Sequence, residues 1–257
     1  MGEDDGRMIY VMSDIHGNSR RFNSIMKQIK LKPEDTLYIL GDVVDRYPDG
    51  IRILRKLMAM KNVKMLIGNH EFMMLTALSH IDESKMTRRE WCDWQDLLYL
   101  WYSNGGRVTH NYLKHIRKTI RREVFDYLEA LPLCYDITVN EKHYKLVHAA
   151  PEEMYGPEHR GRYGSSTEFA VWKRLKRFDN LPGDYTLIFG HTPTEYYEIR
   201  RPLSIYHTDR AIGIDCGAGT AEHPEIYSSF CYGRLACLRL DDMKEFYSEE
   251  GPEYYER

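Results

Sequence analysis

Three short apolar runs, rich in residues that favour β-strands, lie in the first quarter of the chain at positions 8–13, 36–40 and 63–67. In the first gap, over residues 22–29, apolar side chains recur at the helical spacing i, i+3, i+4, i+7. Residues 51–58 in the second gap repeat this pattern closely, so each gap predicts an amphipathic helix. The order is therefore β-α-β-α-β, whose crossovers make the strands parallel and bring their carboxyl ends to one edge of a sheet.

After residue 71 the pattern becomes helical, and it stays so over residues 72–130. We interpret this segment as a helical insertion or cap on one catalytic domain that spans residues 1–257. Strand-like runs return after residue 134, and a hairpin is predicted around residues 140–142. Strands are expected at residues 135–139, 144–147, 186–189, 211–214, 235–240 and 245–248, and a loop at 151–166.

The composition argues against some classes of binding partner. The 257 residues contain 36 Lys and Arg against 39 Asp and Glu, and a net charge of -3 gives no general attraction to nucleic acid or an acidic membrane. No apolar run approaches the length of a membrane span. Five cysteines form no C-x-x-C pair, and this odd number favours a reducing compartment. We therefore expect a cytoplasmic protein without nucleic acid or membrane partners.

Five short segments with metal-binding or phosphate-binding side chains each follow a predicted strand. A single Asp-x-His or Gly-His-Thr would be weak evidence, because both arise often by chance. Five such segments in this order indicate a two-metal phosphoesterase site. They are Asp14-Ile15-His16-Gly17, Gly41-Asp42-Val43-Val44-Asp45-Arg46, Gly68-Asn69-His70-Glu71, Val147-His148-Ala149 and Gly190-His191-Thr192.

The donors in these segments predict two divalent metal ions. Asp14 and His16 can face one ion, and Asp42, from the neighbouring strand, is the predicted bridging carboxylate. An amide oxygen and two imidazoles complete the second ion. Ligands without thiolate suit Mn, which we expect, or Fe, Zn and Ni as alternatives. Such ions, about 3.5–4 Å apart, activate water for direct hydrolysis without a covalent phosphoenzyme. The predicted ligands are Asp14, His16, Asp42, Asn69, His148 and His191.

Three further side chains fit the handling of a phosphate ester. His70 adjoins Asn69 without being needed as a ligand, so we predict that it protonates the leaving oxygen as a general acid. Asp45 is its predicted orienting partner, and the Asp–His pair is expected to raise the imidazole pKa by favouring the cation. Arg46 supplies a planar pair of donors that matches two phosphate oxygens.

Together these motifs resemble the phosphoprotein phosphatase branch of the calcineurin-like metallophosphoesterases, from Asp14 to about Pro193. The likeness is closest to compact bacterial and phage serine/threonine phosphatases, to which residues 101–109 and 214–218 are also similar. The resemblance implies an α/β (α+β) fold, a four-layer α/β/β/α sandwich of two mixed sheets with a helical insertion. It further implies a dinuclear metal site and the hydrolysis of phosphomonoesters.

The same resemblance implies a second phosphate-binding arginine in a Trp-x-Arg context. Arg174 matches that context, whereas Arg160 and Arg162 are rivals for the role. Arg174 would bind the substrate phosphate together with Arg46 and Asn69. The chain departs from the family's pattern at positions near the substrate rim, which leaves substrate preference open. These departures are Tyr47 and Ala150, where relatives often have Gly, and Ile67, where they often have Arg.

Other candidate side chains are expected to have structural roles instead of catalytic ones. Glu71 is expected to support the site from the start of a helix rather than bind metal. Asp215 is expected to support a loop, and the basic run 173–177 is interpreted as a solvated helix face. The three tryptophans within residues 91–101 are expected to pack the inserted helices on the sheet.

The favoured function is a metal-dependent phosphatase for phosphoserine and phosphothreonine, whose partner is a phosphoprotein or a small phosphomonoester. The alternative is a symmetrical diadenosine-tetraphosphate hydrolase, since such enzymes share the scaffold and similar Gly-His-Thr-Pro segments. A catalytically silent binding scaffold is disfavoured, because every predicted ligand and the acid are present. A nuclease is disfavoured because an acid pair with two arginines fits a monoester better. The oligomeric state is left open.

Overall fold

The predicted β-α-β-α-β unit forms most of the first sheet. Strands β1 (Ile9–Met12), β2 (Thr36–Ile39) and β3 (Val63–Met65) pair in parallel in that order. Helices α1 (Ser19–Ile29) and α2 (Gly50–Met58) connect them. The computed structural model of the protein describes residues 6–79, 86–177, 179–197, 203–220 and 233–249.

The described chain between β3 and the next strand consists of four helices and the short segments that join them. Its elements are α3 (Asn69–Leu78), α4 (Arg88–Ser103), α5 (Arg107–Lys114) and α6 (Lys118–Glu129). Because α3 begins at residue 69 rather than 72, the third motif lies in the first turn of a helix. That the whole chain is one catalytic domain with this insertion stays a prediction. Among the described residues, no helix is both long and apolar enough to span a membrane.

The predicted hairpin starts the second sheet. Strands β4 (Cys134–Val139) and β5 (Lys142–Val147) pair antiparallel over their full length. The two turn residues, Asn140 and Glu141, have left-handed φ values of 48° and 63°. Two successive left-handed residues match the right-handed twist of the flanking strands, so the turn sets the register of the hairpin.

The remaining strands complete both sheets. In the second sheet, β6 (Thr186–Phe189) and β8 (Ala211–Gly213) continue parallel to β5, and β7 (Tyr206–His207) pairs antiparallel at the edge. In the first sheet, β9 (Ala236–Arg239) and β10 (Lys244–Tyr247) add antiparallel beyond β1. The described strands thus form two mixed five-stranded sheets, β10-β9-β1-β2-β3 and β4-β5-β6-β8-β7.

Alternating side chains along β1 and β2 belong to two separate cores. Met12 and Ile39 pack with the buried faces of α1 and α2, whereas Val11 and Tyr38 pack in the core between the two sheets. A strand with both faces buried requires this nearly continuous apolar pattern. Both faces of the first sheet are therefore covered, one by helices and the other by the second sheet.

The far face of the second sheet is covered by α7 (Ser166–Trp172). Phe169 of this helix is fully buried in one cluster with Leu187 and Phe189 of β6. The layers run helices, sheet, sheet, helix, which confirms the predicted four-layer α/β/β/α sandwich.

One local prediction for the second half is wrong, and two short elements were missed. The helix α7 was not expected, because its buried residues 169–171 are consecutive and lack helical periodicity. The basic run 173–177 lies beyond the end of α7 and is not a helix face, and its Leu175 is buried. The strand β7 was also missed, since two residues are too few to give a pattern. The expected loop 151–166 contains two short 3-10 helices, Glu152–Met154 and Pro157–His159.

Candidate functional site

The five predicted segments meet where carboxyl ends of strands from both sheets approach one another. Asp14 and Asp42 follow β1 and β2, Asn69 opens α3 after β3, and His148 and His191 follow β5 and β6. All five are buried, with at most 7% of any side chain exposed. The backbone N–H of His191 donates to Asp14 Oδ2 at 3.0 Å, across 177 positions of sequence. Residues from both halves of the chain are thereby joined in one buried cluster.

Several residues of this cluster have a left-handed backbone conformation, which residues with a side chain rarely adopt. Each costs about 1–2 kcal/mol, and such strain persists only where surrounding contacts hold it. Six of the eleven non-glycine residues with positive φ in the described chain belong to the predicted site. They are Asp14 at 55°, His16 at 50°, Asp42 at 55°, Asp45 at 69°, Arg46 at 66° and His191 at 62°.

The buried carboxylate of Glu71 holds the strained segment that follows β2. Its Oε2 accepts hydrogen bonds from the backbone N–H groups of Asp42 at 2.8 Å and Gly68 at 3.1 Å. Its Oε1 accepts from those of Val43 at 2.8 Å and Val44 at 3.2 Å. Four donors fill the carboxylate, so Glu71 supports the loop instead of facing a metal ion, as the sequence indicated.

We expect Glu71→Gln to destabilise the protein. The side-chain NH₂ group of glutamine would replace one acceptor oxygen and face two buried backbone N–H groups. Leaving these backbone groups without an acceptor costs at least about 2 kcal/mol. Urea unfolding of the metal-free variant measures this loss of free energy. Glu123→Gln, at an exposed position of α6, is the matched control and should change stability by less than about 0.5 kcal/mol. Equal stability of the two variants would contradict a supporting role for Glu71.

The three predicted histidine ligands are oriented by backbone carbonyl groups. In each ring one nitrogen lies near a carbonyl oxygen, and since a carbonyl can only accept, that nitrogen carries the proton. The other nitrogen therefore presents a lone pair, the arrangement typical of histidines that bind metal. The pairs are His16 Nδ1 with Val44 O at 3.2 Å, His148 Nδ1 with Leu40 O at 2.7 Å, and His191 Nε2 with Trp172 O at 3.2 Å.

The inward-facing atoms are mostly acceptors that face one another. The Oδ2 atom of Asp42 lies 3.8 Å from His16 Nε2, and its Oδ1 lies 3.5 Å from His148 Nε2. The Oδ1 atom of Asn69 lies 2.9 Å from His148 Nε2 and 2.8 Å from His191 Nδ1. Lone pairs converging in a buried space repel one another unless a cation lies among them, so these residues fit divalent metal ions.

Asp42 is common to two candidate metal sites. In each site the three donor atoms lie within 4.8 Å of one another, which fits a carboxylate shared by two ions. One site includes His70 where Asp14 was predicted, and Asp14 Oδ1 lies 3.9 Å from His16 Nε2. The two sets are His16 with Asp42 and His70, and Asp42 with His148 and His191.

The backbone of the fifth segment packs directly on Asp14. Asp14 Oδ2 accepts hydrogen bonds from the Ser13 hydroxyl and the His191 N–H, which leaves Oδ1 toward His16. A Cβ atom at Gly190 would collide with Ser13 and Asp14. Glycine at position 190 is therefore what allows β6 to place its histidine against the residue that follows β1.

Burial governs protonation in the metal-free site. Together with neighbouring carboxylates it raises the pKa of Asp14 to about 6 and that of Asp42 to about 7. Burial also lowers the pKa of His16, His148 and His191. Neutral imidazoles are the form that binds metal, and bound cations would favour the ionised carboxylates.

His70 and Asp45 form the predicted pair, within a network that includes the helical insertion. His70 Nδ1 lies 2.8 Å from Asp45 Oδ2, and both side chains are almost fully buried. Trp101 Nε1 of α4 donates to the same oxygen at 2.8 Å, and the Asp45 N–H donates to Thr109 Oγ1 of α5 at 3.0 Å. Sequence reasoning missed the contact of Trp101 and assigned the side chain to packing, although residues 101–109 are among the segments that resemble the family. No local pattern links positions 56 residues apart.

The expected rise in the pKa of His70 is wrong for the metal-free site. Burial lowers that pKa to about 4 and outweighs the Asp42 carboxylate, which acts in the opposite direction. Burial also raises the pKa of Asp45 to about 7, so the negative charge on which the expectation depended is itself disfavoured. The prediction from sequence considered the negative charge of Asp45 but neglected the desolvation of both Asp45 and His70.

Arg46 lies beside the inner nitrogen of His70. Its Nη2 is 3.3 Å from His70 Nε2, and its backbone N–H donates to Gly105 O at 3.1 Å. A Cβ atom at Gly219 would collide with both His16 and Arg46. The backbone at Gly219 therefore packs directly against these two side chains. The arginine is exposed whereas the histidine is buried, which leaves its guanidinium accessible to a ligand beside the candidate acid.

The three candidates for the second phosphate-binding arginine lie in different surroundings. The guanidinium of Arg174 is exposed and lies 5.5 Å from the ring centre of Tyr196. After burial and the neighbouring His148, the charge of Arg174 is the next cause that lowers the pKa of His191. Arg162 instead stacks on the adjacent tyrosine ring at 5.6 Å, and Arg160 is exposed in the same loop. Arg174 is thus the one whose charge reaches a predicted metal ligand.

Two named proteins are similar in sequence to this chain. The serine/threonine-protein phosphatase 2 of Salmonella typhimurium is 26% identical over 201 residues, which cover 74% of this chain and 82% of that protein. The symmetrical bis(5'-nucleosyl)-tetraphosphatase of Buchnera aphidicola is 35% identical over 79 residues, which cover 30% of this chain and 29% of that protein. The match thus spans less than a third of the tetraphosphatase.

A solved structure provisionally described as a diadenosine tetraphosphatase has the same fold, with a TM-score of 0.53 at 16% identity. That match covers 95% of this chain and 94% of the other. The sequence profile of the family described as calcineurin-like phosphoesterase matches residues 8–213, well over half of the chain. The protein therefore belongs to the calcineurin-like phosphoesterase family.

Proposed function

We propose that the protein is a metal-dependent phosphomonoesterase that acts on phosphoserine and phosphothreonine. The observation that carries this proposal is the His70–Asp45 pair beside Arg46, directly next to the shared carboxylate Asp42. A buried acid pair and an accessible guanidinium on one side of a metal-binding cluster suit one terminal phosphate and its leaving oxygen.

The predicted ligands would hold two divalent ions of the Mn, Fe, Zn or Ni class. When bound, such ions activate water and neutralise charge that develops on the phosphate oxygens. The three histidines are oriented by backbone carbonyl groups and Asp14 by the His191 N–H, so these ligands need little rearrangement to hold the ions. We assign this role to Asp14, His16, Asp42, Asn69, His148 and His191.

The chain's own residues would then bind the phosphate and supply a proton. Arg46 and Arg174 would orient phosphate oxygens, with the Asn69 amide beside them. Asp45 accepts a hydrogen bond from His70 Nδ1–H, which directs Nε2 toward the leaving oxygen. A phosphate dianion beside Nε2 would favour the imidazolium and so oppose the lowering of its pKa by burial. His70 would release its proton to that oxygen as the ester bond breaks.

The extent of the similarity to known proteins also supports a phosphatase. The named serine/threonine phosphatase matches 74% of this chain, whereas the named tetraphosphatase matches 30% at higher identity. The second candidate is therefore a symmetrical dinucleoside-tetraphosphate hydrolase, which that shorter and more similar segment favours. Both reactions would use the same metal-binding cluster. They differ in the group attached to the phosphate, which is a protein side chain in one and a nucleotide in the other.

Turnover of three substrates at equal Mn concentration tests the proposal. We expect kcat/KM for a phosphothreonine peptide to exceed that for diadenosine tetraphosphate by at least about tenfold, a difference of roughly 1.4 kcal/mol in transition-state binding. The reverse preference would favour the second candidate. No turnover of the peptide, diadenosine tetraphosphate or p-nitrophenyl phosphate by concentrated, Mn-loaded protein would contradict both and leave a binding scaffold.

We expect Arg174→Ala to raise KM for a phosphomonoester roughly tenfold, because an exposed arginine loses one charge-assisted contact to phosphate. Metal content should not change, since Arg174 is not a ligand. The matched control is Arg162→Ala, which should change KM by less than about twofold. Equal effects of the two substitutions on KM would remove the assignment of Arg174.

A further inference from the structure

A groove of about 880 Å³ lies among the inserted helices and contains none of the predicted metal ligands. It is formed by the end of α3 and by one face each of α4, α5 and α6. Its volume falls within the range of about 300–1,000 Å³ that is usual for small-molecule sites. The groove is therefore large enough for a ligand of its own, separate from the metal cluster.

The α4 wall of the groove carries the aromatic side chains of Trp94 and Tyr102, and Phe125 adds a third ring from α6. Two of them are fixed by hydrogen bonds, since Trp94 Nε1 donates to Ala77 O at 2.9 Å and the Tyr102 hydroxyl bonds to His110 Nδ1. Rings that are already held in place lose little entropy on binding. This wall offers flat apolar surfaces on which an aromatic ring can stack.

The α6 wall carries positive charge. Lys118, Arg121 and Arg122 lie at the spacing i, i+3, i+4, which puts them on one helix face over about 6 Å of axis. In the part of the chain that the structure describes, none of the three forms an ion pair with a carboxylate. Cations that lie together without ion-pair partners attract a ligand with several negative charges.

The sum of the charges around the groove is positive although the chain is acidic overall. Four lining cations, which include Lys114, stand against the two lining carboxylates of Asp126 and Glu129, so the described residues of the lining carry a net charge of +2. The whole chain has a net charge of -3. After burial, the charges of Lys114 and Arg121 are the causes that lower the pKa of His110 to about 4.

We propose that this groove binds a nucleoside polyphosphate, with the base on the aromatic wall and the phosphates on the cations of α6. An aromatic ring and a chain of phosphates are the two features that the two walls recognise. Neither wall alone favours this ligand, because inorganic polyphosphate lacks the ring and an uncharged aromatic compound lacks the phosphates. The proposal does not depend on the reaction at the metal cluster.

Calorimetric titration of ATP into the full chain, kept metal-free with EDTA so that no hydrolysis occurs, tests the proposal. We expect saturable binding at one site per chain. The exposed double substitution Lys118→Glu with Arg121→Glu should weaken binding at least about 30-fold, because two attractive charges become repulsive. The control Arg88→Glu with Arg89→Glu, on exposed positions of α4 outside the groove, should change affinity less than about twofold.

Inorganic triphosphate in the same titration tests the aromatic wall, and it should bind at least about tenfold more weakly than ATP. The absence of saturable ATP binding would overturn the proposal. So would equal affinity for triphosphate, or ATP binding that the α6 double substitution leaves unchanged. Thermal melts of each variant confirm that the charge reversals leave the fold intact. Each of these results is independent of phosphatase activity and therefore does not bear on the proposed reaction.

Discussion

Asp42→Asn is expected to lose both metal ions and to lower the rate of phosphate release by about three orders of magnitude. Asp42 directs one oxygen to His16 and the other to His148, so one substitution weakens both candidate metal sites. The loss of metal removes several kcal/mol of transition-state stabilisation, and each tenfold in rate corresponds to about 1.4 kcal/mol. Elemental analysis of the purified variant, together with turnover of p-nitrophenyl phosphate, measures both effects.

The matched control is Asp215→Asn. Asp215 is also buried, and burial raises its pKa to about 7, as for Asp42. Its Oδ1 accepts a hydrogen bond from the Gly217 N–H at 2.9 Å, an acceptor role that the amide oxygen of asparagine can retain. This variant should keep both ions. If Asp215→Asn lost metal while Asp42→Asn retained two ions, the assignment of the shared carboxylate would be wrong.

His70→Asn is expected to retain two metal ions and to lower turnover of a phosphoserine peptide by roughly 10²–10⁴-fold, the usual contribution of general acid catalysis. The loss should be much smaller for p-nitrophenyl phosphate, because nitrophenolate departs without a proton whereas the serine alkoxide requires one. The ratio of the two losses separates a missing proton donor from a general disturbance of the site.

Metal content of the same variant tests the other role available to His70. His70 Nε2 belongs to one of the candidate sets of metal donors and lies 3.9 Å from Asp42 Oδ2. Loss of an ion from His70→Asn, with equal losses of rate for both substrates, would show that His70 is a ligand. Asp45→Asn should mimic the substrate dependence, and the effects of the two substitutions should not add, because the residues act as a unit.

The sequence predicts the parts of this protein that depend on local pattern. Strand ends at Asp14, Asp42 and Asn69 followed from apolar runs and helical gaps of regular length. The parallel connections then required those ends to meet at one edge. The supporting role of Glu71 was also predictable, since an acid in the first turn of a helix suggests contact with nearby backbone N–H groups.

What could not be predicted depends on contacts between distant segments and on burial. Trp101 reaches Asp45 from a helix whose pattern indicates only packing, and no spacing predicts that contact. The low pKa of His70 follows from desolvation of the whole cluster, which a pairwise consideration of Asp and His neglects. Elements as short as β7 and α7 contain too few residues for periodicity to appear.

Anomalous scattering from a crystal of the Mn-loaded protein tests the two-metal site most directly. Two peaks should lie about 3.5–4 Å apart on either side of Asp42, with its carboxylate between them. One ion should be bound by Asp14 and His16, and the other by Asn69, His148 and His191, with His70 outside bonding distance of both. A single peak, or an ion bound to His70, would contradict the assignment of a shared carboxylate and a free general acid.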